Sequence, residues 1–572
     1  MNRMLAGVFG AVDPRGRAFL GAVVFALAHA IAFGAAYPPF GAWGLSFVAM
    51  LPLLVVATRT EKPLRSALGI FLGVAPMWWW HHSWILDVTG LGFPLLVMCL
   101  SLYPAAFVWT LARLRARWAS MPVWAIAPLL WAGLEVIRGE VLFTGYPWFL
   151  LAHPLIEIPH VALSSGVVGV YTLSAAAALP SAVVCAYLVG GWKASRVGAV
   201  VVLFVVLLPS VAPTPAESSR SETIVVVQTA VPQDNRTAWL PEQRLEDFGR
   251  AMTLTVDAAQ RWPGASLIVW PETMFPGFTL EPDALAIVRS RFPTPFADAV
   301  QEVSADLVNG IPMLIGAIAV DGYAITPMPG QRQPDESWDD RYNSAFLVEN
   351  GAITARYDKR RLAPFGEILP YVHRWPWLQN QVLALGAQGM SFDLSMGDAP
   401  TVLEPGGSGL LIGTPICFET AAWDVCRDLV FADGRRRSEV LVTMTNDGWF
   451  GDHPGGRAHH LLIARWRAAE LRTPVVRAAN TGISAAIDRS GRVIAGTFAD
   501  ETGAIVGSLG ATDAWGALRV QVVPGVDGPG LWIGGWINVG LGLLAVVGVI
   551  ASIVPRRETT RPDGDDASYD NG

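Results

Sequence analysis

One of the four cysteines in this 572-residue chain, Cys417, lies in the stretch LIGTPICFETA (411–421). Small and apolar residues lead into the thiol, and Glu419 follows two places later. The preceding run reads as a strand, and a helix is expected to begin near Ala421. A thiol at such a corner meets backbone N–H groups that favour its thiolate. Buried inert cysteines are common, so the local pattern leaves a nucleophile and a core thiol both open. In IVWPETMFP (268–276), Glu272 stands at the end of another strand, where α/β folds place functional groups. A carboxylate there is a general base for the thiol or a capping or surface residue. In RYDKRRLAPFGEILP (356–370), Lys359 and Glu367 occupy a segment broken by proline and glycine. A lysine stabilises charge developing on a carbonyl oxygen, but a basic run also forms a solvated face or an anchor to phospholipid headgroups. TNDGWFGDHPGGRAHH (445–460) ends a strand in polar residues and glycines, as a pocket wall does, and includes Trp449, His459 and His460. Neither histidine has a ligand companion at the usual spacing, and no CxxC pair occurs, so no metal and no cofactor is expected.

The elements that must hold these residues fall into two halves. Apolar residues make up 52% of the chain and charged residues only 16%, against about 25% charged in soluble domains. Hydrophobic runs near 18–36, 41–58, 66–82, 91–112, 120–137, 161–189 and 197–212 read as seven spans, with an eighth near 531–554. Residues 222–524 read as a soluble α/β domain after the linker APTPAESS (212–219). Its buried-strand runs include 223–230, 265–270, 311–320, 410–418 and 439–445, with helical patterns near 240–262, 296–308 and 457–471. The segment 330–340 reads as a surface loop, and 555–572 as a disordered tail.

Lys and Arg concentrate before the first run and between the second and third, fourth and fifth, and sixth and seventh, and again after the last. Arg138 is the main exception. This alternation is the positive-inside pattern. It predicts cytoplasmic termini and an extracytoplasmic α/β domain. The net charge of −7 and the lack of a long basic patch argue against nucleic acid as a partner.

In order, the Glu, Lys and Cys segments resemble the signature of the nitrilase superfamily. With TNDGWFG (445–451), RAANTGIS (477–484) and the span pattern, the whole chain resembles its membrane-bound branch, the apolipoprotein N-acyltransferase family. The resemblance implies a multi-span helical membrane domain and a nitrilase-like αββα sandwich. It implies Glu272 as general base, Lys359 as oxyanion stabiliser and Cys417 as nucleophile. Glu367, Glu419 and Phe418 are implied in support, and Trp239 and Trp449 at the substrate pocket. The chain departs from the family at Thr229 and Ala230, where a Gly-Asn pair is usual, and at Leu151, Ala152 and His153, where Gly-Tyr-Ser-Gln is usual. The implied reaction moves an acyl chain from the sn-1 position of a phospholipid, with phosphatidylethanolamine the expected donor, through a Cys417 thioester. The acceptor is the N-terminal amine of a diacylglyceryl apolipoprotein. The implied place is the bacterial inner membrane, with the catalytic domain periplasmic. A membrane-anchored amidase acting on small amides is the alternative, and a catalytically silent binding module is a third reading. Residues 367–390 are expected to include a lid. Cys426 is expected to be a buried free thiol carried away from Cys417 by a helix.

Overall fold

The computed structural model describes residues 18–90, 92–207, 221–231, 240–326, 335–371, 375, 377, 394–451, 453–499, 505–509, 517–522 and 534–554. Trp239, the 555–572 tail and most of the expected lid lie outside the described residues.

The main helices of the N-terminal half are α1 (Ala18–Ala36), α2 (Leu51–Arg59), α3 (Pro63–His81), α4 (Gly92–Arg117), α5 (Val123–Val136), α6 (Pro159–Val168) and α7 (Val170–Leu207). Among the described residues, four helices are long and apolar enough to cross a membrane: Ala18–Ala36, Gly92–Arg117, Val170–Leu203 and Gly535–Ile553. The second apolar run is not one helix. It divides into a 3₁₀ turn at Trp43–Phe47 and the nine residues of α2, which at 1.5 Å per residue fall well short of a roughly 30 Å hydrocarbon core. The sixth run is cut at Gly169 (φ 79), and Gly191 (φ 69) breaks α7 just before Lys193, as the basic connection between the sixth and seventh runs predicts. Small residues set the closest helix approach. Gly69 and Gly73 of α3 lie on α1, and a Cβ at Gly73 would sit 2.5 Å from that of Ala26 and 2.9 Å from the Val23 carbonyl.

The second half is two stacked sheets. The first contains β1 (Glu222–Val227), β2 (Leu267–Val269), β3 (Met313–Asp321), β4 (Asp340–Glu349), β5 (Ala352–Asp358) and the late strand β13 (Ala517–Val522). Its order is β13-β1-β2-β3-β4-β5, with β1, β2 and β3 parallel. The second contains β6 (Val402–Leu403), β7 (Ile412–Gly413), β8 (Val440–Thr445), β9 (Val475–Ala479), β10 (Gly482–Ile487), β11 (Val493–Ala499) and β12 (Ile505–Leu509), ordered β12-β11-β10-β9-β8-β7-β6. Alternating side chains of the first sheet serve opposite cores, as the two-residue strand period requires. Ile224, Val226, Leu267 and Val269 pack with the second sheet. Val225, Val227, Ile268 and Trp270 pack under α8 (Pro241–Arg261). On the far side lie α9 (Trp423–Val430) and α10 (Pro454–Leu471), and α11 (Gly534–Ile553) returns to the helical half. The fold is therefore an αββα sandwich joined to a helical domain, as expected. Of the expected surface loop at 330–340, residues 330–334 lie outside the described residues, and Asp335–Ser337 pairs as a short exposed strand with Ala324–Thr326.

Helix α10 is the seam. Its Trp466 Nε1 donates to the His153 carbonyl (2.9 Å), and its Glu470 accepts from Val170 N (2.9 Å). Leu462, Trp466 and Ala469 share an apolar cluster with Ala132, Leu150 and Tyr171. The stretch Leu151–His153 is buried in this seam, with Leu151 N held by Glu135 (2.8 Å) and Ala152 N by Ser174 (3.1 Å). Replacing Gly73 by leucine should overpack the α1–α3 contact by about 1–3 kcal/mol and lower the melting temperature in detergent. Gly44→Ala, which meets nothing within 4 Å, should leave that temperature unchanged.

Candidate active site

Five strand ends converge on one place. Glu272 follows β2, Lys359 follows β5, Cys417 follows β7, Asn446 and Asp447 follow β8, and Asn480 follows β9. The tight turn after β2 puts Thr273 at φ 50 and presses against β3. A Cβ on Gly316 would stand 2.7 Å from Thr273 N and 2.9 Å from Glu272 Cα, so only glycine lets the two chains meet there.

Lys359 is 1% exposed, and its Nζ lies 2.8 Å from Glu367 Oε1 and 3.2 Å from Glu272 Oε1. Burial alone would depress its pKa, but the two carboxylates outweigh burial and hold the ammonium well above its ordinary range. Asn343 Nδ2 donates to Glu272 Oε1 (2.8 Å), and Asn446 N donates to its other oxygen (3.0 Å). Glu367 accepts from Ala363 N (2.7 Å), which fixes the second carboxylate on its own loop.

Cys417 is half-buried, and its backbone is left-handed (φ 51), a conformation that costs a non-glycine residue about 1–3 kcal/mol. The helix of the sequence reading starts two residues later than expected, at Trp423, and Cys417 itself opens a 3₁₀ turn. Burial and the Glu272 carboxylate push the thiol up, against the pull of Lys359 and the Thr445 hydroxyl. These surroundings favour the protonated thiol over the thiolate. Phe418, its neighbour, packs against the apolar core of the helical half, so the sulfur lies at the junction of the two halves.

Glu419 is fully buried. Its oxygens accept from Ile416 N (2.8 Å), Arg360 N (2.6 Å), Arg361 N (3.0 Å) and the Tyr357 hydroxyl (2.9 and 3.0 Å). Burial raises its pKa to about 6 despite these donors. The carboxylate ties the lysine loop to the cysteine turn. Trp449 is half-buried in the 3₁₀ turn Asp447–Phe450. Thr229 donates to Asn480 Oδ1 (2.7 Å), and the adjacent Ala230 is left-handed (φ 49). Tyr371, Trp375 and Trp377, from the expected lid, are exposed. Cys426 is a buried free thiol on α9, 3.2 Å from the Glu419 carbonyl, as expected.

Sequence reasoning missed several residues that hold this site: Asn343, Asn446, Tyr357, and the buried group Asp447, His460 and Arg477. Arg477 Nη2 meets both Asp447 oxygens (2.7 and 2.5 Å), and His460 Nδ1 lies 3.0 Å from Oδ1. The two adjacent histidines part company. His459 stacks on Phe149 of the helical half (4.2 Å between centroids), while His460 points at the cysteine turn. Among the described residues, no group of three or more potential metal ligands gathers.

The α/β half matches the family "Carbon-nitrogen hydrolase" over residues 226–514, which with the αββα sandwich makes this a nitrilase-class enzyme domain. Residues 29–183 match "Apolipoprotein N-acyltransferase N-terminal domain". An apolipoprotein N-acyltransferase of Geobacter metallireducens is 30% identical over 82% of this chain and 86% of its own length. One from Sinorhizobium fredii is 30% identical over 86% and 90%, and one from Vibrio cholerae 27% over 83% and 89%. The chain belongs to the apolipoprotein N-acyltransferase family, and it is a membrane-bound acyltransferase. Among solved structures it is similar to Saccharomyces cerevisiae Nit3, of the nitrilase superfamily, with a TM-score of 0.31 and 14% identity over 54% of this chain and 92% of that one.

Asp447 is stabilised as a carboxylate. Burial alone would raise its pKa, but Arg477 and His460 hold it well below the usual range. Its contribution to stability is complete above about pH 4, the unfolded value, and is lost as pH falls below it. Asp447→Asn, which strands the Arg477 charge, should cost about 3–5 kcal/mol at pH 7. Melting temperatures measured from pH 7 down to pH 3 should fall less steeply for Asp447→Asn than for wild type below pH 4.

Proposed function

We propose that Glu272, Lys359 and Cys417 transfer a fatty acyl group from the sn-1 ester of a phospholipid to the α-amine of a diacylglyceryl apolipoprotein. The carrying observation is the buried Lys359 ammonium, paired with Glu272 and Glu367 and charge-coupled to Cys417. The curated relatives bear the matching name. Glu272 takes the Cys417 proton as sulfur attacks the ester carbonyl. Lys359 Nζ and the Phe418 N–H hold the oxyanion. When the C–O bond breaks, Glu272 returns the proton to the departing lysophospholipid oxygen. The thioester then meets the uncharged amine of the acceptor. A C–N bond forms, the C–S bond breaks, and the amine proton passes through Glu272 back to sulfur. Glu367 keeps Lys359 in place, and Glu419 keeps the lysine loop against the cysteine turn. Trp239 and Trp449 are the substrate-binding residues in this reading. Phosphatidylethanolamine is the donor in this reading, and no metal or cofactor takes part.

The setting follows from the substrates. Each CH₂ withdrawn from apolar surroundings costs about 0.8 kcal/mol, so an acyl chain stays in the bilayer while it reacts. In this reading the helical half up to residue 212 and the run 531–554 lie in a bacterial inner membrane, 222–524 is the periplasmic catalytic domain, and both termini are cytoplasmic; the second apolar run, broken into a 3₁₀ turn and a nine-residue helix, does not cross as one helix. The basic connections support this orientation, and the approach of Phe418 to the helical core supports a site at the membrane surface.

Intact mass of the purified enzyme after incubation with phosphatidylethanolamine tests the reading. Wild type should gain one fatty-acyl mass that hydroxylamine removes, and Cys417→Ala should gain none. A diacylglyceryl peptide should discharge the adduct into an N-acyl product. Discharge to free fatty acid with the peptide unmodified would sink the transferase reading and leave a hydrolase.

A further inference from the structure

Arg138 breaks the alternation of the basic connections, and no step of the scheme above uses it. It follows α5 and is 5% exposed in the helical half. Its Nη2 donates to the Trp148 carbonyl (2.7 Å) and the Phe149 carbonyl (3.1 Å), and its guanidinium lies over the Tyr103 ring (5.7 Å). Glu135, three residues earlier and also buried, holds the same stretch. Its Oε1 accepts from Leu151 N (2.8 Å) and Trp131 Nε1 (2.9 Å). Non-helical backbone at such a place is tolerated only where protein groups meet its N–H and C=O. The stretch also carries the catalytic half: Trp148 and Phe149 stack on His459 of α10, at 5.0 and 4.2 Å between centroids.

Buried charges of opposite sign ordinarily pair. Among the described residues, no hydrogen bond or ion pair joins Glu135 to Arg138, and Glu135 Oε2 and Arg138 Nε are both buried without a protein partner. Trp78 Nε1, on α3, is a third such atom. All three residues line one cavity, together with Phe33, Tyr103 and Trp131. A carboxylate oxygen takes more than one donor, so the Ser174 hydroxyl, which also approaches Glu135, leaves Oε2 open to another.

The three atoms specify what fits between them. Two are donors and one is an acceptor. A cation is repelled by Arg138, an anion by Glu135, and a hydrocarbon end leaves all three groups unmet. Water accepts two hydrogen bonds and donates the third. The space open to the centre of a water is about 10 Å³, which suits one molecule.

We infer that one bound water joins Arg138 Nε, Trp78 Nε1 and Glu135 Oε2, completing a buried charge pair that supports residues 148–151 beneath the catalytic half. The water accepts from the guanidinium and the indole and donates to the carboxylate.

The direct test is a crystal structure of the full-length wild type grown from lipid, at a resolution that shows ordered water. One peak should lie within hydrogen-bonding distance of all three atoms. An acyl chain in the cavity, a peak held by only one of the three, or no peak where other buried waters are visible, overturns the inference. Melting temperatures in detergent give a second test. Trp78→Phe keeps a ring and removes the Nε1 donor. Glu135→Gln keeps its oxygen on Leu151 N and Trp131 and turns its NH₂ toward the water, which then faces three donors. Trp78→Phe should therefore lower the melting temperature by a few degrees in wild type and by clearly less in Glu135→Gln. Equal shifts in the two backgrounds mean that no shared molecule couples these residues, and overturn the inference.

Discussion

Two ionised carboxylates held close together out of water need a cation between them, and Lys359 is that cation. Its ammonium is almost wholly enclosed and lies within ion-pair distance of both Glu272 and Glu367. Removing one partner of such a set leaves an uncompensated buried charge, a loss of several kcal/mol. Much of the surrounding architecture is explained by the need to meet that condition. Glu272 is held by an amide side chain from one sheet and a backbone N–H from the other. Glu419 closes the opposite edge by pulling residues 360–361 onto the cysteine turn. The site is thus assembled by charge balance across two sheets, and neither sheet holds it alone.

The same logic explains why the thiol does not rest as a thiolate. Burial and the Glu272 carboxylate both disfavour charge on sulfur, and in the proposed reaction that charge develops only as Glu272 takes up the proton. In the proposed reaction Lys359 contributes most when negative charge moves onto the substrate oxygen, which is the condition for stabilising a transition state more than a ground state.

Glu272, Lys359 and Cys417 could be singled out because each sits in a short, distinctive segment at a strand end; the local patterns left their roles open, and the roles came from the order they share with the family resembled. Strand and helix positions followed from periodicity and an α/β domain from their alternation, while the αββα layering came only with the family resemblance. What periodicity could not supply were partners distant along the chain. Asn343 and Asn446 approach Glu272 from 71 and 174 residues away, and a lone asparagine carries no spacing signal. His460 was read only for metal ligation, because its meaning lies in Asp447 and Arg477, 13 and 17 residues off. The signal the sequence does carry is the clustering of polar residues after β8. The second apolar run misled for a related reason: composition reports that a segment avoids water, not that it is one continuous helix.

Helix α10 is packed on one side by Ala132, Leu150 and Tyr171 and on the other by the cysteine turn and the second sheet. A domain fastened this way does not swing over the bilayer on a tether. In the reaction proposed above, the Cys417 sulfur then keeps a constant height, and reactants come to it by diffusing sideways within the leaflet. The search is therefore two-dimensional, and turnover should respond to surface density of lipid, not to its bulk concentration.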